Sequence, residues 1–301
     1  MKKINPFSLI LVPFSFLLVS LFFPLSAQSF QWSNHIGSTD DTYKRHDQIL
    51  DAFVDGEDNS YFLVYFSSVN NVRFNGVTVS RDLNINYSNP FLGLFSFDCN
   101  GELRWYRTLR PVRVDSIMGT EYVYAVEIHH TASMARAGDK IVVALNALGN
   151  AHQLRIRDQD GNDTIFDRNL RGTNGVNLDP VVLFNFSGEV QWVKMPEVLF
   201  PTGIQNKSYR PMQNAMTLDA DDNICRLIWN YSNFTESDGV STPFPLVDSI
   251  DSYIVKYDLA GNLLQSVPVN LSGYGWGEPV FFCHNQQFHI FGSAGDYAVI
   301  N

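Results

Sequence analysis

The chain has 301 residues, of which 45% are hydrophobic, 14% aromatic and 17% charged. Such a chain can bury a sizeable core, and it is too apolar for a coiled coil or an acidic disordered segment. Its net charge is −10. An acidic surface with no basic patch repels phosphate backbones, so nucleic acid is not an expected partner.

The N-terminus has the pattern of a processing signal. Lys2 and Lys3 precede an apolar run from Phe7 to Phe23, and Pro24-Leu25-Ser26-Ala27 places a small residue before the expected cut. Residues 1–27 are therefore read as a signal peptide, which implies a secreted, cell-surface or periplasmic destination. Pro13, Ser8, Ser15 and Ser20 make this run a poor spanning helix, and no later stretch is long enough to cross a bilayer, so no integral span is expected after cleavage. Cleavage removes two lysines and no acids, leaving 19 − 31, a net charge of −12. No Cys follows the cut, which argues against a lipid anchor.

From residue 28 onward the chain reads as a succession of β-hairpins. The clearest is Pro90–Trp105, PFLGLFSFDCNGELRW, in which an alternating strand enters an Asp-x-Asn-Gly turn and the next strand ends on tryptophan. Weaker copies occur at Pro180–Trp192 and Ser252–Gln265, and Phe30–Trp32 carries the last strand alone. Trp32, Trp105, Trp192 and Gln265 lie 73, 87 and 73 residues apart by difference of position. That period exceeds the ~20–50 residues of most repeat units, so each interval is expected to hold four strands plus an insertion.

In chain order, the first unit has strands near Ile49–Val54, Tyr61–Ser67, Pro90–Phe97 and Glu102–Leu109, with an inserted hairpin at Val72–Val79. The second uses Tyr124–His129, Lys140–Leu145, Pro180–Phe186 and Glu189–Lys194, with an insertion around Leu154–Phe166. The third uses Ala215–Leu218, Ile224–Asn230, Tyr253–Tyr257 and Leu263–Val267, with an irregular Pro-containing loop expected at Ser232–Asp248. Pro279–Cys283, Gln287–Phe291 and the start of a third strand at Asp296–Ile300 open a fourth. The predicted fold of 28–301 is all-β: a β-propeller-like array of four-stranded antiparallel blades, about three and a half in number. The units fall at approximately 33–109, 110–196, 197–270 and a partial 271–301. Phe30–Trp32 is a fourth strand without its first three, and pairing it beside 297–301 would close a four-bladed ring. The brevity of the last strand favours instead an incomplete arc, the N-terminal part of a larger propeller.

The recurring Asp-x-x-Gly-x-Leu-x-Trp pattern resembles the SBBP-type β-propeller repeat of secreted Bacteroidetes proteins. The matching residues include Asp98, Gly101 and Trp105, then Gly188 and Trp192, then Asp258 and Gly261, with Trp32 at the isolated strand. The resemblance implies a secreted propeller; proteins of that kind are often exported by type IX secretion and end in a sorting domain, which is not read here. The same tail is similar to the propellers of pyrroloquinoline-quinone dehydrogenases. In both, its role is structural: Gly takes the left-handed turn, Asp caps it and Trp packs between blades.

Few residues suggest chemistry. Asp158–Asp163 and Asp219–Asn223 are rich in carboxylates but lack the final Glu of a calcium loop, and they read as turns. His129 and His130 alternate across a strand, and His284 and His289 have no companion at ligand spacing. Cys225 and Cys283 read as buried small hydrophobes in preference to a disulfide, and Cys99 sits in a turn. No nucleophile elbow, zinc-helix motif or phosphate loop is present in the sequence, so no catalytic residue, metal or cofactor is assigned. Tyr87, Phe234 and Phe244 are read mainly as loop-covering aromatics that could also stack on sugars. The expected function is a non-catalytic extracellular scaffold or a protein- or glycan-binding surface. The alternative is a propeller enzyme, a glycan-active hydrolase or a quinone-type oxidoreductase, with its site in loops at one face.

Overall fold

A computed structural model of the chain describes residues 36–37, 47–67, 72–74, 76–79, 90–117, 120–128, 132–145, 147–148, 151, 153–167, 180–194, 197–199, 215–229, 234–237, 240–242, 252–269, 280–291 and 297–300. Met1–Ser33 and Asn34–Asn301 are separate compact units, and every described residue belongs to the second. The signal segment and Trp32 therefore lie outside the described residues, as do His129, His130, Tyr87, Phe244 and the side chain of Phe234. The described residues form strands and turns with no helix, so none of them makes a helix long and apolar enough to cross a membrane.

Four antiparallel sheets follow one another along the chain. Sheet I pairs Gln48–Val54, Ser60–Phe66, Phe91–Phe97 and Leu103–Ile117 in that order. Sheet II repeats the plan with Ser133–Ala137, Lys140–Ala144, Val181–Asn185 and Val190–Lys194. Sheet III uses Ala215–Leu218, Ile224–Trp229, Ser252–Tyr257 and Leu263–Val269, and sheet IV uses Val280–His284, Gln287–Phe291 and Tyr297–Ile300. The first strands of I, II, III and IV lie beside one another in sequence order.

The sequence explains why these sheets stack. Ser60–Phe66 is apolar on both faces, as a strand packed on two sides must be. Tyr61, Leu63 and Tyr65 join Leu92, Leu94, Trp105, Ile141, Val143, Val182 and Phe184 in a core shared by sheets I and II. Val142, Val181 and Leu183 meet Ile224, Val255 and Tyr257 between II and III, while Cys225, Leu227 and Ile254 meet Phe281 and Ile290 between III and IV. The outer face of sheet I, with Val64, Phe66, Phe95 and Phe97, is covered by the chain's own inserted hairpin. Phe74, fully buried there, lies 4.6 Å from Phe95 and 5.6 Å from Phe97. Ile36–Gly37 pairs with that hairpin at Arg73–Phe74.

Three expectations need correction. The first strand of sheet II is Ser133–Ala137; of the predicted Tyr124–His129, Tyr124 and Ala125 end the strand Thr120–Ala125, which pairs with the end of the fourth strand of sheet I, and Glu127–Ile128 pairs with Ala147–Leu148. That fourth strand runs to Ile117, well past Leu109, because a second partner meets it: Gln153–Asp158, from the insertion of sheet II, pairs along Arg107–Val112. Its hairpin mate Asp163–Asp167 is fixed by the Arg157–Asp163 ion pair at 2.8 Å. The edge of sheet I is thus covered by neighbouring chain. Finally, the Ser232–Asp248 region is not wholly irregular, since Phe234–Ser237 pairs with Val240–Thr242 and with Glu197–Leu199.

Asp58 and Asp222 hold the left-handed turn position with φ of 61° and 60°, where other turns of this chain have glycine. Asp58 is exposed. Asp58→Gly is expected to stabilise the fold by about 0.5–1 kcal/mol, and Asp58→Val to destabilise it by about 1–2 kcal/mol, in urea denaturation. A neutral valine substitution would contradict this reading of the turn.

Candidate functional site

Among the described residues, six turns share one small hydrogen-bonded unit. It spans five residues, and its first side chain is Asp or Asn. Asp98 Oδ1 accepts the N–H groups of Asn100 at 2.9 Å and Glu102 at 2.8 Å, while Gly101 N–H returns to Asp98 O at 3.0 Å with φ of 82°. Asp158 does the same with Asp160 and Asn162, Asn185 with Ser187 and Glu189, and Asp219 with Asp221 and Asn223. Asp55 accepts from Glu57 and Asn59, and Asp258 from Asn262 at 2.7 Å. A turn closed by a left-handed residue makes a bulge, and register shifts follow at Ser96/Phe97, Leu183/Phe184 and Lys256/Tyr257. The supposed calcium stretches Asp158–Asp163 and Asp219–Asn223 contain two of these turns.

The turn donors set the electrostatics. Asp98 is held below the ordinary carboxylate range, first by the Glu102 N–H, and Asp258 first by the Asn262 side chain. At Asp55, Asp158 and Asp219 burial pushes the carboxyl up, and the donors overcome it; Asp219 also gains the Lys256 ammonium. Asp51, on the first strand of sheet I, goes the other way. Burial raises it, against hydrogen bonds from Met134 N–H of sheet II at 3.1 Å and from Ala52 N–H at 2.8 Å.

The same turns receive the tryptophans. Trp105, on the fourth strand of sheet I, is buried and donates its indole N–H to Phe186 O of the sheet II turn at 3.0 Å. Trp192, in the equivalent place on sheet II, donates to Leu259 O of the sheet III turn at 3.0 Å. Both acceptors stand two residues before the turn glycine. A Cβ on Gly188 would sit 2.6 Å from Trp105 Cδ2, and one on Gly261 would sit 3.3 Å from Trp192 Cε2 and 2.7 Å from Lys194 Cε. Arg107 Nε adds a bond to Gly188 O at 2.8 Å. Of the residues singled out by sequence, Trp105 with Gly188 and Trp192 with Gly261 are brought together. Asp98, Gly101 and Asp258 stand in equivalent turns of sheets I and III.

Two features carry no motif in the sequence. Tyr61 is fully buried, donates to Asp55 Oδ2 at 2.8 Å and accepts from Arg104 at 2.9 Å; burial first, then Asp55, pushes its phenol up to about 12. Its ring stacks on Phe53 at 4.8 Å and on Phe186 of the sheet II turn at 5.2 Å. The second feature is the outer face of sheet IV, where Val280, Phe282, Phe291, Tyr297 and Val299 are exposed. Cross-strand pairing of Phe282 with His289 stacks their rings at 4.9 Å, His289 Nδ1 lies 2.6 Å from Tyr297 Oη, and His284 is 6.1 Å from His289. The strand alternation of 280–291 is the sequence signal for this face. No set of three or more His, Cys, Asp or Glu arranged to hold a metal occurs among the described residues.

Neither a protein-family model nor a curated protein sequence matches this chain.

Gly188→Ala is expected to cost about 2–4 kcal/mol, from indole overlap and a φ of 78° together. Gly261→Ala is expected to cost only about 1–2 kcal/mol, because its shortest contact is the flexible end of Lys194. Equal costs in chemical denaturation would contradict this account of the joint.

The carboxylates also fix a pH signature. The five lowered turn aspartates contribute stability that is present above the unfolded value of 3.8 and is lost as pH falls below it. Asp51, raised in the fold, opposes folding when ionised, and this penalty fades as pH falls through its folded pKa. Thermal melts should therefore favour Asp51→Asn over the parent more at pH 7 than at pH 4.5. The reverse order would show that Asp51 is not desolvated.

Proposed function

We propose that the chain is a secreted, non-catalytic β-propeller-type repeat module that acts as an extracellular scaffold or as a binding surface for a protein or glycan. The observation that carries the reading is the internal use of the repeated motif. Its Asp and Asn side chains accept their own turn N–H groups, and its tryptophans and glycines join one sheet to the next. A radial arrangement is supported by the first strands, which adjoin in series. An arc is favoured over closure of sheet IV on sheet I, because the outer face of sheet I is already occupied by the Phe74 hairpin. The exposed rings of Phe282, Phe291 and Tyr297 supply the surface chemistry of protein and sugar contacts.

The competing reading is a glycan-active hydrolase, which needs a carboxyl kept protonated near neutral pH and a second one within ~5–10 Å. Asp51 is the described carboxyl that moves in that direction. The test incubates the purified protein with a polysaccharide panel, assays new reducing ends, and probes the same glycans on an array. The module reading predicts no turnover above buffer, and array binding, where seen, that survives Asp51→Asn. Turnover abolished by Asp51→Asn would overturn it in favour of the hydrolase.

A further inference from the structure

We propose that Cys225 and Cys283 are a redox-active pair that forms a disulfide across the interface between sheets III and IV when the folded protein meets a disulfide oxidant. Cys225 is fully buried and belongs to the apolar cluster that joins Leu227 and Ile254 of sheet III to Phe281 and Ile290 of sheet IV. Cys283 is two residues from Phe281 on the same strand, and so projects from the same face toward sheet III. The backbone ties the two positions together. Cys283 N–H donates to Thr217 Oγ1 at 3.3 Å, and Thr217 is the cross-strand partner of Cys225. The thiols are near enough that ionising Cys283 opposes ionisation of Cys225. Both are free thiols in the structure.

The chemistry balances with a small disulfide such as glutathione disulfide. Cys283, the less buried thiol, is deprotonated and attacks one oxidant sulfur, and one glutathione thiolate leaves. Cys225 then loses its proton and attacks the Cys283 sulfur of this mixed disulfide, and the second glutathione leaves. Two protein thiols give up two electrons and two protons, and one glutathione disulfide becomes two glutathione thiols. Burial pushes Cys225 up to about 12 and raises Cys283 as well, so the thiolates are scarce and the reaction is slow. The exposed Cys99, in the sheet I turn, reacts separately. The bond would close a loop from residue 225 to residue 283, long enough for the cross-link to restrict the unfolded chain substantially. This inference concerns the two packed sheets and does not depend on the binding reading above.

The test incubates the purified protein, with Cys99→Ser to remove the exposed thiol, with glutathione disulfide. It is then alkylated in denaturant, digested without reduction and analysed by mass spectrometry. The expected product is a stoichiometric Cys225–Cys283 cross-linked peptide, with alkylatable thiols falling from two to none and Tm rising by roughly 5–10 °C. Cys225→Ser should stop at a glutathione adduct on Cys283 without the rise in Tm. Persistent free thiols, or a stable Cys283 adduct with Cys225 still alkylatable in the Cys99→Ser protein, would overturn the proposal. That readout does not require the Cys225 variant to fold.

Discussion

The structure depends on one contact made twice: an indole from the outer strand of one sheet lying on the turn glycine of the next. Trp105 over Gly188 and Trp192 over Gly261 each place an N–H on a carbonyl at 3.0 Å, so the buried ring of Trp105 and the partly buried ring of Trp192 pack without leaving their polar atom unpaired. The contact leaves no room for a Cβ beneath Trp105, and the left-handed backbone of the turn favours the same residue. Two independent constraints therefore converge on Gly188. The aliphatic faces between sheets tolerate sliding, because apolar packing is not directional. The indole hydrogen bond is directional, and it fixes the register of one sheet on its neighbour.

The five-residue turn is the other half of this arrangement. Its first side chain accepts N–H groups that an open loop would leave to water, so the backbone arrives at the glycine in one conformation. The turn aspartates are thereby committed to their own backbone. A carboxylate that accepts two or three hydrogen bonds stays ionised and occupied, which suits a structural cap and disqualifies it as a general acid. The reactive potential left over lies elsewhere: in the desolvated Asp51, in the thiols between sheets III and IV, and in the aromatic outer face of sheet IV.

Much of the sheet plan was legible in the sequence because turn chemistry and alternation agreed. Ala215–Leu218 and Gln287–Phe291 coincide with their predicted bounds, and the Val72–Val79 insertion forms the expected hairpin. Ser133–Ala137 was missed because Ser-Met-Ala-Arg-Ala has little intrinsic strand character; it is held by pairing to Lys140–Ala144 and by Met134 in the core. Tyr124, with stronger propensity, drew the prediction to a stretch whose start belongs to a strand that extends sheet I instead. The return of Gln153–Asp158 to the edge of sheet I, and the meeting of Cys225 with sheet IV, are non-local. No period in the sequence encodes them. At the candidate site, spacing identified the tryptophans and glycines as equivalent, while the pairing of one with the other across sheets emerged only in three dimensions.

The central claim, that the indoles lock adjacent sheets, is tested most directly by hydrogen exchange at the tryptophan side chains. Proton–nitrogen NMR resolves each indole N–H, and Trp105→Phe and Trp192→Phe variants assign the two signals. If each indole is bonded to the neighbouring turn, both N–H groups exchange only when the sheets separate, with protection comparable to the core amides of Ser60–Phe66. Exchange of both indoles at rates close to those of a solvent-exposed tryptophan, in a protein whose core amides remain protected, would contradict it.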